Sequence, residues 1–102
     1  MKGILFFMKK VICEYPIERA GVILPLNAEI LTAERVRSQI CIYAIIDPTE
    51  TAKKFHKIFI LRTGETIDEN QQEQMKNMTF LNAIIEPGEF FGPLVWHVWV
   101  EK

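Results

Sequence analysis

The stretch Leu94-Val95-Trp96-His97-Val98-Trp99-Val100 alternates in a way that only an extended chain can use. At a period of two, Trp96, Val98 and Val100 share one face and Val95, His97 and Trp99 the other. One face is expected to be core, and the other to be displayed to a second sheet, a partner or a ligand. Working back, Glu86-Pro87-Gly88-Glu89-Phe90-Phe91-Gly92-Pro93 is a turn-rich segment, and Thr79 to Ile85 reads as the strand before it. Phe55 to Arg62 is a further β-rich run, closed by Thr63-Gly64. Ile40 to Ile46, apolar at every position, reads as a central strand covered on both faces and is stopped by Asp47-Pro48-Thr49.

Lys10 to Tyr15 places Val11, Cys13 and Tyr15 on one face before Pro16, which has no N–H to donate. Gly21 to Leu24, bounded by Pro25, is a short or edge strand. Glu29 to Arg37 has a helix-like composition, yet Ile30, Thr32, Glu34 and Val36 alternate, so a strand is expected; Ser38-Gln39 then makes a tight connection. Thr51 to Lys54 reads as a loop. Between Ile67 and Asn77, Asp68 is placed to cap at most one short helix near 68–77, although a mobile loop is the favoured reading. These signals predict an all-β domain, a compact sandwich or barrel of about seven short, mainly antiparallel strands.

The chain has 102 residues, enough for one domain, expected over 9–102, with 1–8 as an N-terminal extension because Met8-Lys9-Lys10 reads like a second translation start. About 65% of the unfolded surface can be buried at this size, so one core needs no staples. Twelve Lys and Arg against thirteen Asp and Glu leave a net charge of −1, which argues against general nucleic-acid binding. Apolar runs fall far short of the roughly 18 residues of a membrane helix, so direct membrane association is not expected. The stretch after Met1-Lys2 is too short for a signal peptide and lacks a small-residue cleavage site.

Nucleophilic catalysis requires a nucleophile, a base and an orienting acceptor in contact. Only His56 and His97 can serve as bases, Cys13 and Cys41 have no C-x-x-C spacing, and no metal-ligand pattern is present. No catalytic residue, metal or cofactor is expected, and the cysteines read as free thiols. Arg62-Thr63-Gly64 is the one strand exit with a cation where backbone N–H groups, a hydroxyl and a guanidinium can meet an anion; the plainer reading is a simple turn. With His97 and Trp99 it forms the candidate ligand site, Trp99 offering a ring for stacking; the plainer reading makes both Trp residues core. Phe90, Phe91 and Trp96 are the candidate interface, because adjacent aromatics in an irregular segment are hard to bury in a small monomer.

The segments Lys10 to Pro16, Leu24-Pro25-Leu26-Asn27-Ala28-Glu29-Ile30-Leu31, Tyr43 to Pro48, Arg62-Thr63-Gly64 and Leu94 to Trp99 resemble, in that order, a family of small proteins from phages and prophages. Its pattern runs from a KYP-like start through P-x-x-A-x-I-L, a strand ending in D-P and a G-T-G turn to a terminal L-V-W-H-V-F. Tyr43 stands where that pattern has Trp, Arg62 where the turn has its first Gly, and the polar segment from Glu69 to Asn77 is longer. The resemblance implies cytoplasmic action in an infected bacterial cell and no particular reaction. The expectation is therefore a homo-oligomeric, non-catalytic accessory protein that counters bacterial defence by sequestering a nucleotide-derived immune signal. The alternatives are an inhibitor docking on a host defence or nucleic-acid enzyme, and a minor virion component.

Overall fold

Apolar residues two apart bury one face of several strands. Val22 and Leu24, Ile42, Ala44 and Ile46, and Val98 and Val100 each sit two apart and meet in one core with Ile30, Ala33, Ile58 and Ile84. Each large aliphatic chain so buried stabilises the fold by roughly 1.5–3 kcal/mol. The computed structural model describes residues 9–88, 90 and 92–102; the expected extension over 1–8 and Phe91 lie outside the described residues. Its elements are β1 (Val11–Pro16), β2 (Gly21–Pro25), β3 (Glu29–Val36), β4 (Gln39–Ile46), β5 (Lys53–Arg62), α1 (Glu69–Met75), β6 (Thr79–Glu86) and β7 (Leu94–Val100). Two antiparallel sheets, ordered β1-β4-β3 and β2-β5-β7-β6, enclose the core as a sandwich. The all-β expectation holds.

Three local readings change. Residues 69–75 form a helix rather than a loop, because Asp68 Oδ1 accepts from Gln71 N at 2.8 Å while Asp68 N donates to Gln71 Oε1 at 3.0 Å, a closed capping box. Lys57 Nζ donates to Gln74 Oε1 at 2.5 Å, which ties α1 to the outer face of the second sheet. β4 is central in its sheet, but its second face is covered only in part: Cys41 is buried there, whereas Tyr43 and Ile45 remain half-buried, and Tyr43 donates to Glu14 at 2.7 Å. The third change is that the alternation in β3 and β6 breaks. Register shifts between Ile30 and Thr32 and between Phe80 and Asn82 mark bulges at Leu31 and Leu81. Ile30 and Ala33 therefore both face the core, three residues apart.

The two bulges lie on the strands that meet at one seam of the sandwich, β3 and β6. Ala33 turns both its N–H and its C=O off the free edge of β3. Asn82, at a core-facing position of β6 opposite Val98, answers both: its Oδ1 accepts from Ala33 N at 2.8 Å and its Nδ2 donates to Ala33 O at 2.9 Å. Beside it, Glu86 takes the Arg35 guanidinium at 2.5 Å and accepts from Trp96 Nε1. The opposite seam, between β1 and β2, is held by a single tight turn. Glu18 and Gly21 exchange both backbone hydrogen bonds, at 2.8 and 3.0 Å, around Arg19 (φ 52) and Ala20 (φ 57). Two positive φ values define the hairpin turn that favours Asn-Gly, and a residue with a Cβ costs about 1–2 kcal/mol in each position.

The cysteines lie on neighbouring strands but on opposite faces, Cys13 opposite Ala44 and Cys41 opposite Pro16, and both are free.

Two stability outcomes are expected in urea unfolding. Asn82→Ala removes the partner of the Ala33 N–H and leaves the Ala33 C=O only the 3.4 Å hydrogen bond from Thr32 Oγ1, and should destabilise the domain by roughly 2–4 kcal/mol. The double change Arg19→Asn with Ala20→Gly should raise the unfolding midpoint, by about 1 kcal/mol of stability, through relief of the left-handed positions.

Candidate functional site

Cross-strand pairing sets out the outer face of the second sheet in rows. Phe59, Trp99 and Phe80 lie across β5, β7 and β6, and Leu61, His97 and Ala83 form the next row. The bulge at Leu81 is what turns Phe80 onto this face, since strict alternation would place it with Asn82 and Ile84 in the core. Phe80 meets the Trp99 ring edge-on with centroids 5.5 Å apart and lies 6.3 Å from the His97 ring. Phe80 is 45% exposed, and His97 and Trp99 are half-buried. A partly open aromatic platform results.

Thr63 follows one step beyond Leu61. Its N–H donates to Val95 O at 3.1 Å, and its Oγ1 shares a hydrogen bond of 2.8 Å with His97 Nε2. The turn that releases the chain needs Gly64, at φ 89. Thr63 and His97 therefore meet at one end of this face, with Gly64 in the turn beside them, while Trp99 stands one row further in, opposite Phe59. Arg62 is not with them: it pairs with Trp96 and so points, by alternation, to the opposite side of the sheet, where it is exposed. The backbone donors expected to hold an anion are also engaged, because Arg62 N–H donates to Glu65 Oε1 at 2.9 Å and Thr63 N–H to Val95. A carboxylate occupies the turn where an anion was expected.

Trp96, expected at an interface, packs against the core and donates its indole N–H to Glu86 within the chain. Phe90 is 86% exposed, while Phe91 lies outside the described residues. His56 is the one buried polar residue among the described residues, with Nδ1 3.0 Å from Glu101 O. It borders a cleft of about 390 Å³ together with Leu26, Glu29, Lys54 and Lys102. A second cleft, of about 370 Å³, opens at the β1–β2 seam. Neither was legible in sequence, since both depend on which strand ends meet.

Chemically, the Cys41 thiol is pushed above its ordinary value by burial and by the Glu14 carboxylate, the reverse of what a nucleophile needs. Neither histidine is hydrogen-bonded to a cysteine among the described residues. No three His, Cys, Asp or Glu side chains converge among the described residues, and no helix among them is long and apolar enough to cross a membrane.

Residues 8–102 match a family described as a domain of unknown function, DUF7352. No curated protein and no solved structure matches the chain.

In a Trp96→Phe background, Phe80→Ala should shift Trp99 emission to longer wavelength as the indole loses its cover. It should cost about 0.5–1.5 kcal/mol beyond the lost burial. Unchanged emission would show that the two rings do not pack in solution.

Proposed function

The chain belongs to the DUF7352 family, and from that premise we propose that it is a non-catalytic binding protein that sequesters a small nucleotide-derived signal. The resemblance to phage and prophage proteins supplies the setting, the cytoplasm of an infected bacterium, and the purpose, countering a defence that the nucleotide would trigger. The observation that carries the reading is the Thr63–His97 hydrogen bond beside the Phe80–Trp99 platform. A base stacked there gains roughly 1–3 kcal/mol, and a hydroxyl and an imidazole at its rim can donate or accept on its edge. Arg62, exposed at the end of β5, faces the phosphate side of such a ligand only if the ligand wraps the strand end, so its contribution separates a wrapped from a flat pose.

Self-association is part of the proposal. Phe90, Ile85 and Ile12 are 86%, 68% and 63% exposed, a large apolar display for a domain of this size that a second copy would cover. Light scattering at high micromolar concentration should give a mass above 11.9 kDa, and Phe90→Asp should return it to that value with the β-rich circular dichroism intact.

The direct test incubates the purified protein with signalling nucleotides, removes free ligand, denatures the protein by heat and analyses what is released. Intact nucleotide is expected, and His97→Gln or Trp99→Ala should weaken its binding about 10-fold or more. Cleaved product would make the protein an enzyme, and no binding at micromolar concentration would remove the reading. A host protein captured in stoichiometric amount, with no nucleotide released, would favour the direct inhibitor instead.

A further inference from the structure

The β1–β2 seam carries a cleft of about 370 Å³, within the range of small-ligand sites. It lies apart from the Thr63–His97 group: Phe55 marks it near the start of β5, and Thr63 follows eight residues later, about 26 Å at the rise of a strand.

Three features build it. The first is its floor, the ring of Phe55, which lies directly on the Gly21 backbone. A Cβ on Gly21 would stand 2.2 Å from Phe55 Cζ and 2.8 Å from His56 O, so any other residue there would lift the ring. The second is Arg19, on the wall of the cleft. Its turn is pinned on three sides, by the two Glu18–Gly21 hydrogen bonds and by Ile58 N donating to Ala20 O at 2.8 Å. Arg19 and Ala20 both hold left-handed φ values that Asn-Gly would adopt without strain. Strain retained beside a cleft points to a use for the residue it positions. Among the described residues the Arg19 guanidinium makes no ion pair or hydrogen bond.

The third is Tyr15, which also lines the cleft. Burial, and then the neighbouring Cys13, raise its phenol above the ordinary value, so it stays protonated and can donate. Arg19 is the one cation that lines the cleft and Glu18 its one carboxylate, a balance that disfavours a polyphosphate and leaves a single guanidinium to meet a single anionic group.

We propose that this cleft binds a small aromatic monoanion, its ring on Phe55 and its carboxylate- or sulfonate-type group on the Arg19 guanidinium. The strained turn fixes the cation, and the missing Cβ of Gly21 makes room for the floor. The site is independent of the nucleotide reading, because it uses different residues and a different charge.

The probe is 1-anilinonaphthalene-8-sulfonate, with N-phenyl-1-naphthylamine as the neutral compound of the same ring frame. Binding is followed by probe fluorescence and located by amide shifts in two-dimensional NMR. The sulfonate should bind one per chain and shift the amides of Arg19 to Ile23 and Phe55. Arg19→Gln should weaken it about 10- to 100-fold and leave the neutral compound unchanged, while Phe55→Ala weakens both. The Arg19→Asn, Ala20→Gly double variant, folded and more stable, should lose the sulfonate as Arg19→Gln does. Equal affinity of the wild type and Arg19→Gln for the sulfonate would overturn the proposal, as would shifts centred on Phe80 and Trp99.

Discussion

The amide of Asn82 holds the two sheets in one arrangement. A strand at the edge of a sheet presents unpaired peptide groups, and β3 is such an edge. Ala33 is wholly buried at its side chain while its N–H and C=O point off that edge, so water cannot easily serve them. Only a primary amide offers an acceptor and a donor side by side, as a neighbouring strand would. Asn82 thus stands in for a strand, and the pairing of both its atoms fixes which way the amide is turned.

The rest of the site follows from the local geometry that this contact requires. To bring Asn82 to the core side opposite Val98, β6 carries one extra residue at Leu81, and that residue turns Phe80 to the outer face beside Trp99. The seam and the aromatic platform are two consequences of one bulge. The matching bulge at Leu31 lets Ile30 and Ala33 both reach the core, so that the buried residue and the edge peptide coincide at Ala33. At the other seam no side chain among the described residues plays this part, the sheets are joined by a strained turn, and a cleft is left.

This explains what could be read in the sequence. The continuous apolar run Ile40–Ile46 and the period-two pattern of Leu94–Val100 were sufficient for those strands, and the latter for the rule that His97 and Trp99 face away from Trp96. The Thr63–His97 contact follows from pairing the Phe55–Arg62 run with Leu94–Val100, and the Asp68 cap was visible although a loop was favoured; a reciprocal Gln71 is the signal that decides for the helix. Bulges have no comparable mark: strict alternation puts Phe80 on the same face as Asn82, and nothing in the sequence sets Asn82 apart from an ordinary strand residue. Arg62 was grouped with its chain neighbours, whereas alternation separates it from Thr63. The strained turn was hidden because Arg19-Ala20 lacks the Asn or Gly that normally announces one.

The central claim, that a side-chain amide closes the β3–β6 seam, is tested most directly by hydrogen exchange of one backbone group. The Ala33 amide points off a sheet edge, so without Asn82 it should exchange like an open loop. In the wild type it is expected to be protected to the level of the central β4 amides, and Asn82→Ala is expected to remove that protection selectively while β4 and β7 amides stay slow relative to the new global stability. An Ala33 amide that exchanges rapidly in the wild type, or keeps its protection in Asn82→Ala, would contradict the account.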